Sequence, residues 1–330
     1  MAVVEATNIR YGKSFSSDVM HFTGGIRGHR MAEGWNIAPL LRDGKICELG
    51  PVPDKDIGQL SNQLGIALIG INQISFNDPM LLSQIWHPMI GAPHDQILPA
   101  DIWGCISHNA RIGGDVEYAN LARNVAISLR AAGIRLRDAS DGYYHQLYAG
   151  LSRGQSVNRR FKNISLSDLH LAFHSIAAEL GAARDYLSAI IAMHVGAPTK
   201  IDSLSRLIEW VKKPINSQKL VHELVAPLID GYDKGGRWLY DLGEYRNNFF
   251  HREPMGVNGT DRGVYISAAE TCHEVIYILH LDIANPQSPD EKVEALDAFV
   301  RLSTHMQVWA ALVATHAKYS SEPPNVLCKR

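Results

Sequence analysis

The longest amphipathic segment of the chain, "SLSDLHLAFHSIAAELGAARDYLSAIIAMH", begins at Ser165 and constrains the fold more than any other feature. Its apolar residues recur every three or four positions, which is the pattern of an α-helix with one buried face. Ser165 and Asp168 provide the capping chemistry of a helix N-terminus, and Gly196 and Pro198 end the pattern. The segment therefore predicts one long helix with a buried apolar face.

Helical patterns also dominate the rest of the chain. The first fifty residues are the exception, because they are glycine-rich and irregular, with a short hairpin over Asn36–Leu49 that turns at Asp43-Gly44. Further helices are predicted at 53–74, 79–86, 99–108, 113–136, 138–151, 201–211, 217–230 and 237–253, and a last one begins at Ser288. Two segments rich in β-branched residues, within 263–284, are typical of a β-hairpin.

The predicted fold class is therefore mainly α, with two domains. A chain of 330 residues exceeds the size at which single cores stop growing. Residues 1–155 are predicted to form a mostly helical N-terminal domain with a short irregular or β start, and residues 156–330 a helical bundle with the hairpin as an insertion. The boundary falls in Ser152–Asn163, a polar and basic segment that is either a solvated linker or a strap contacting phosphates.

Composition excludes several classes of protein. The formal net charge of −2 gives no overall attraction to nucleic acid or anionic membranes, so any nucleic-acid contact must rest on local basic patches. No apolar run reaches the ~20 residues that cross a bilayer, and the N-terminus lacks a signal-peptide pattern. The four cysteines are far apart, as in proteins of a reducing compartment. We therefore expect a cytoplasmic protein with no membrane partner.

Two other patterns are weaker signals of function. His170 and His174 have the i, i+4 spacing of metal ligands, but no further ligands accompany them, so we interpret both as structural. The segment "TGGIRGHR" (Thr23–Arg30) is glycine-rich, but it lacks the Lys-Ser/Thr ending of a P-loop and favours a turn. The sequence thus predicts no metal site and no cofactor.

The segment "EYRNNFFHRE" (Glu244–Glu253) carries the sharpest candidate chemistry. On a helix, Asn247 and His251 are one turn apart and share a face. Arg246 lies ~100° to one side, from where its long side chain still reaches that face. The spacing of Arg and His is uninformative by itself, since roughly one such pair is expected by chance in a chain of this composition.

The neighbouring residues on the predicted helix indicate which of its faces is exposed. Phe249 and Phe250 are predicted to pack the helix into its own domain and to leave the polar residues exposed. The alternative is a solvated helix end, where His251 and Arg252 interact favourably with the helix dipole. The residues alone leave both interpretations open.

The order Arg-Asn-x-x-x-His in "YRNNFFH" resembles the R-x(4–6)-H signature of the HEPN domain family (higher eukaryotes and prokaryotes nucleotide-binding), in which Asn often follows the arginine. The predicted helices over Ser165–Tyr319 are similar as well: a long first helix, a second segment, the motif on a later helix and a long closing helix. Two features depart from the family pattern. Arg252 and Glu253 follow the histidine where some members have x-Tyr, which argues against modification by a nucleotidyltransferase, and the predicted hairpin interrupts the bundle.

The resemblance implies a metal-independent endoribonuclease that acts as a toxin or anti-phage defence effector. In that role His251 is the acid or base, Arg246 holds the scissile phosphate, and Asn247 orients His251 or the phosphate. Glu244 and Asp241 are candidates for tuning the histidine. Weaker contacts to RNA are expected from four basic residues, Arg252, Arg159, Arg160 and Lys162.

The implied chemistry also predicts partners. Cleavage through the 2′-hydroxyl needs both a base and an acid, and one chain offers only one motif histidine. A two-fold homodimer through the motif helix would supply two. The expected partners are therefore RNA, a second copy of the chain, and an antitoxin or regulatory protein. The alternative is a non-catalytic HEPN-like module that binds a nucleotide or a protein with the same face.

Overall fold

The computed structural model describes residues 15–78, 81–88, 97–233, 237–252, 255, 263–271 and 274–323. The chain divides into two compact units, each assembled from separate stretches of sequence. Unit 1 takes the described residues within Met1–Met89, Ser140–Arg159 and Tyr265–His280. Unit 2 takes those within Ile90–Ala139, Arg160–Val264 and Leu281–Arg330. The predicted domain boundary at residues 155/156 stays a prediction.

Unit 1 is built on an antiparallel sheet that has eight strands within the described residues. The strands are β1 (Phe15–Phe22), β2 (Arg27–Met31), β3 (Gly34–Arg42), β4 (Lys45–Val52), β5 (Leu68–Asp78), β6 (Leu81–Pro88), β7 (Tyr265–Glu270) and β8 (Val275–His280). They pair in the order β6-β5-β1-β2-β3-β8-β7, and β4 also pairs with β3. Helix α1 (Asp54–Leu64) connects β4 to β5.

The prediction of a mainly α fold with a mostly helical N-terminal domain is wrong, because this sheet occupies the N-terminal region. The helix expected over 53–74 ends at Leu64, where Gly65 adopts a φ of 64° as the C-cap, and the chain then extends into β5. The segment expected to be helical up to Trp86 forms β6. Short apolar runs fit a buried strand as well as a helix, and the isoleucines of β5 favour the strand.

Two predicted hairpins are confirmed, but one has a different role. β3 and β4 turn at Asp43 and Gly44, whose φ angles are 51° and 73°. β7 and β8 form the second hairpin. Because Leu40 of β3 pairs with Ile276 of β8, this hairpin extends the large sheet, and its predicted role as an insertion into a helical bundle is wrong.

Unit 2 is mainly helical. Its helices are α2 (Pro99–Ile112), the first part of α3 (Val116–Ser152), α4 (Leu166–His194), α5 (Leu204–Val211), α6 (Val225–Asp233), α7 (Trp238–Asn247) and α8 (Ala295–Thr315). A 3₁₀ helix (Pro214–Val221) lies between α5 and α6, and a hairpin of β9 (Asp282–Asn285) and β10 (Ser288–Glu294) precedes α8. No helix among the described residues is long and apolar enough to span a bilayer.

The core of unit 2 lies where α4, α7 and α8 meet. Phe173 and Tyr245 are almost fully buried, and each ring centroid lies 5.4 Å from that of Phe299. The long helix predicted after Ser165 is confirmed as α4. The last helix begins later than predicted, because Glu294 is its N-cap and the residues before it form β10.

Candidate active site

The predicted motif lies at the end of α7, where the helix changes its geometry. α7 is regular up to Asn247, and Asn248–Arg252 continue it as one π-helical turn. A π turn bonds residue i to residue i+5, so it rotates the following side chains relative to an α-helix, and such turns are frequent at functional sites. His251 lies on this turn, whereas Arg246 and Asn247 lie on α7.

The two phenylalanines of the motif have different environments. Phe249 is 5 % exposed and packs against Tyr245, Phe299 and His174. Phe250 is 47 % exposed, but its ring centroid lies 5.7 Å from that of His174, so this ring packs into the domain only in part. Adjacent helical positions point in directions ~100° apart, which is why the two rings differ in burial. The buried ring of Phe249 thus fixes the π turn.

Arg246 crosses the facing helix at a glycine. A Cβ atom on Gly181 of α4 would lie 2.8 Å from Cδ and 3.3 Å from Nε of Arg246. The side chain is half-buried, and it forms no hydrogen bond or ion pair with the described residues. A fixed positive charge therefore lies against α4 with its N–H donors left for a ligand.

The same two helices make a second contact between an arginine and a glycine, with the arginine on α4 and the glycine on α7. A Cβ atom on Gly243 of α7 would lie 3.1 Å from Nη1 of Arg184 on α4. Arg184 donates from Nε and Nη2 to Asp185 Oδ1, at 3.2 and 3.1 Å. Sequence reasoning missed Gly181, Gly243 and Arg184. The available signal was glycine inside a helix, which is unfavourable and often marks a close approach.

His251 and Asn247 remain accessible. His251 is exposed and Asn247 is half-exposed, and neither forms a hydrogen bond or ion pair with the described residues. An accessible imidazole can take a proton from a substrate or give one to it. The structure thus brings the three predicted catalytic residues to one end of α7, with no partner from the described chain.

The predicted tuning residue Glu244 is engaged in another contact. Nη1 of Arg252 donates to Glu244 Oε2 at 3.1 Å and to Asn248 Oδ1 at 3.3 Å. These bonds span the π turn from α7 to its last residue. Arg252 remains 63 % exposed, so the pair is a surface ion pair. Glu244 therefore stabilises the turn and does not contact His251.

The second predicted tuning residue, Asp241, lies in the interior. It is 3 % exposed, and its Oδ2 accepts a hydrogen bond of 2.8 Å from Gln287 Nε2. Burial raises the pKa of the Asp241 carboxyl, against the opposing effects of that bond and of nearby arginines. Burial also raises the pKa of the Tyr245 hydroxyl. Asp241 makes no contact with His251.

A histidine of α4 holds the chain beyond the π turn. The ring of His174 stacks on Phe249 with centroids 5.1 Å apart, and its Nε2 accepts the N–H of Met255 at 3.1 Å. Nε2 accepts this bond only when it is unprotonated. Burial also favours the neutral ring, because it lowers the pKa of His174. These two contacts give His174 a structural role. His170 is 7 % exposed on the same helix.

The four basic residues expected to contact RNA differ in whether their side chains are already paired within the chain. Arg160 donates to the Gly263 carbonyl at 3.0 Å and forms an ion pair with Asp282. Arg159 and Lys162 are exposed, and Arg159 belongs to unit 1 whereas Lys162 belongs to unit 2. Because Arg252 is paired as well, Arg246 is the better phosphate-binding candidate.

Neither a metal site nor a known relative helps to define this candidate site. In the described part of the chain, no three His, Cys, Asp or Glu side chains are grouped so that they could hold a metal ion. Comparison with protein-family models, curated proteins and solved structures gives no match. The candidate site therefore rests on its own geometry.

Proposed function

We propose that the helical unit is an endoribonuclease of the HEPN type, and that the protein acts as a toxin or anti-phage effector. The observation that carries the proposal is Arg246, a half-buried residue whose side chain lies over Gly181 and whose guanidinium has no partner among the described residues. Its N–H donors are therefore available to a ligand. The oxygens of a phosphodiester match the fork of a guanidinium.

The reaction follows from the groups at the end of α7. A base takes the proton of the RNA 2′-hydroxyl, the 2′-oxygen attacks phosphorus, and an acid protonates the departing 5′-oxygen. His251 serves as one of these groups, and Arg246 stabilises the charge that develops on the phosphorane. Asn247 positions the phosphate or the imidazole. The products are a 2′,3′-cyclic phosphate and a 5′-hydroxyl, and the step needs no metal ion.

The proposal includes a homodimer. The acid and the base act on opposite sides of the phosphorus, and each chain contributes one exposed motif histidine. A two-fold pairing of α7 and its π turn would place two copies of His251 and Arg246 in one cleft. Residues of both chains would then form each active site. A cytoplasmic location, an antitoxin and a regulatory partner belong to the same proposal.

A second candidate function is binding of a nucleotide or protein without cleavage. Phe250 favours it, because this ring is 47 % exposed next to His251 in the sequence. Exposed aromatic side chains stack on unpaired bases and also anchor protein interfaces. The same surface would then bind RNA or a partner and leave it intact.

A cleavage assay separates the two candidates. The purified chain is incubated with end-labelled single-stranded RNA in EDTA, beside His251→Ala and Arg246→Gln. Exposed residues of unit 2 provide matched controls, His108→Ala and Arg123→Gln. The ribonuclease proposal predicts cleavage by the native chain and both controls and its loss in both motif variants. Intact RNA with every protein, but retained binding, would favour the second candidate.

A further inference from the structure

Unit 1 carries a separate cluster of polar side chains on one face of its sheet. A tight turn at Gly24 and Gly25, both with positive φ, joins β1 to β2 and places His21 directly opposite Arg27. Directly opposite residues of an antiparallel pair lie on the same face. Asp141, near the end of α3, accepts a hydrogen bond from Arg27 Nη2, and its Oδ1 is 3.5 Å from His21 Nδ1.

The same face continues across β5 and β6. Val19, two residues before His21, pairs with Asn72 of β5, and Asn72 pairs with Trp86 of β6. Since residues two apart on a strand share a face, all of these side chains lie on one side of the sheet. A Cβ atom on Gly70 would lie 2.6 Å from the ring of Trp86. The bare glycine thus lets the indole meet the His21 ring, at 5.1 Å and edge to face.

Three buried polar atoms of this cluster have no hydrogen-bond partner within the described residues: Arg27 Nε, Asn72 Oδ1 and Trp86 Nε1. Asn72 is only 5 % exposed. Buried polar atoms are nearly always hydrogen-bonded, because leaving them unpaired costs the full loss of their hydration. Two of the three atoms are N–H donors and one is an acceptor. Their grouping on one face indicates a small polar ligand.

A purely structural role explains only part of the cluster. The pair of Arg27 and Asp141 attaches the end of α3 to the sheet, and Tyr144 lies over the guanidinium with its ring centroid 4.1 Å from Cζ. These contacts use Nη2 and one face of the guanidinium. They leave Nε of Arg27 unpaired and do not involve Asn72 or the N–H of Trp86.

Arg27 supplies the positive charge of the cluster, and Asp141 offsets part of it. Arg27 keeps its positive charge although burial lowers its pKa, and Asp141 raises that pKa again. Burial lowers the pKa of two nearby histidines, His29 and His145, and the charge of Arg27 acts on both in the same direction. Glu48 opposes this effect at His29, and Asp141 opposes it at His145. An entering anion would favour the protonated form of each histidine.

We propose that this cluster binds a phosphate group, either free phosphate or the terminal phosphate of a nucleotide. The deprotonated oxygens of the phosphate accept hydrogen bonds from Arg27 Nε and Trp86 Nε1. The hydroxyl of the monoprotonated form donates to Asn72 Oδ1, so the donors and acceptors of one phosphate match the two N–H groups and the amide oxygen. A carboxylate offers acceptors only and leaves the asparagine oxygen unpaired. The site does not depend on RNA cleavage by unit 2.

Calorimetric titration of the full-length chain tests the site, with inorganic phosphate, adenosine 5′-monophosphate and acetate as three separate titrants. We expect saturable binding of phosphate at one site per chain and no binding of acetate at the same concentrations. Tighter binding of the nucleotide, with competition by phosphate, would identify a nucleotide as the source of the phosphate. Equal affinities would identify free phosphate. Absence of phosphate binding, or equal binding of acetate, would overturn the proposal.

Variants assign the binding to this cluster. Arg27→Gln is expected to weaken phosphate binding at least tenfold, and Trp86→Phe, which keeps a ring over Gly70 but removes the N–H, several-fold. Arg30→Gln is the matched control on the same strand, since Arg30 pairs with Asp54 and is more exposed. Circular dichroism shows which variants are folded, and Trp86→Phe decides the matter if Arg27→Gln is not. Native affinity in a folded Trp86→Phe would contradict the assignment.

Discussion

Arg27 of unit 1 and Arg246 of unit 2 both lie against a helix of their own unit, yet they meet different groups there. Arg27 meets the carboxylate of Asp141, with His21 beside it. Arg246 lies over the bare backbone of Gly181, and its guanidinium has no partner among the described residues. In the first arrangement a carboxylate of the same unit pairs with the guanidinium and Nε stays unpaired, whereas in the second the whole guanidinium is left for a ligand. Loss of the first arginine should therefore lower stability, and loss of the second should lower activity.

The largest expected effect comes from removing the unpaired charge. Arg246→Gln should lower the rate of RNA cleavage about 100-fold or more, as expected for a group that stabilises charge in the transition state. The free energy of unfolding should change by less than ~0.5 kcal/mol, because no hydrogen bond or ion pair within the described chain is lost and Gln keeps part of the stem over Gly181. Initial rates on a labelled RNA and urea unfolding measure the two quantities. A large loss of stability would show that Arg246 is structural.

For Arg27, which is paired, we expect a loss of stability and no loss of RNA cleavage. Arg27→Gln should lower the free energy of unfolding by about 2 kcal/mol, because it removes the arginine that pairs with the partly buried carboxylate of Asp141. RNA cleavage should not change. Arg252→Gln is the comparison for an exposed pair and should cost less than ~0.5 kcal/mol. Urea unfolding without phosphate measures both, and equal values would remove the distinction between the two pairs.

The glycine beneath Arg246 should affect activity without affecting stability. Gly181→Ala would push the stem of Arg246 from its position, because the new Cβ would lie 2.8 Å from Cδ. We expect cleavage to fall about tenfold, since small displacements of catalytic groups are costly. Stability should be unchanged or slightly higher, because alanine is the better helix former. Gly104→Ala on α2, where a Cβ would meet no atom within 4 Å, is the matched control. Full activity in Gly181→Ala would mean that the position of Arg246 is unimportant.

The smallest effect is a dependence of stability on pH at His174. Its folded pKa is lowered by burial, so the unfolded chain binds the proton more readily. The contribution of neutral His174 to the free energy of unfolding is therefore fully present above the ordinary histidine pKa of ~6.5. It is lost as the pH falls toward the pKa that His174 has in the folded chain. His174→Gln keeps an acceptor for the N–H of Met255 and should reduce this loss between about pH 7 and pH 5. Urea unfolding across that range measures it, and identical curves for both proteins would refute this assignment.

The sequence predicted local features better than long-range ones. The turn at Asp43-Gly44 and the length of α4 follow from turn residues, caps and periodicity, and all of these act over a few positions. The sequence predicts helix over part of β5, because a short apolar run such as Leu68–Ile71 fits both structures. The pairing of β8 with β3 joins residues more than 230 positions apart, so no local pattern indicates it.

The candidate site shows the same limit. Helical spacing was enough to group Arg246, Asn247 and His251 at the end of one helix. It gave no indication of the π turn, which depends on the burial of Phe249 among side chains from other helices. The crossing of Arg246 over Gly181 also joins separate parts of the sequence. The sequence predicts the candidate residues that lie on a single helix. It does not predict the residues whose role depends on a contact between two helices.

The chemical identity of the RNA ends tests the central proposal most directly. RNA incubated in EDTA with the native chain is analysed by mass spectrometry for the groups at each new terminus. Attack by the 2′-hydroxyl predicts 2′,3′-cyclic phosphate and 5′-hydroxyl ends that disappear with His251→Ala and persist with His108→Ala. Intact RNA, new 3′-hydroxyl ends, or the same products from His251→Ala would contradict the assignment of Arg246 and His251 to RNA cleavage.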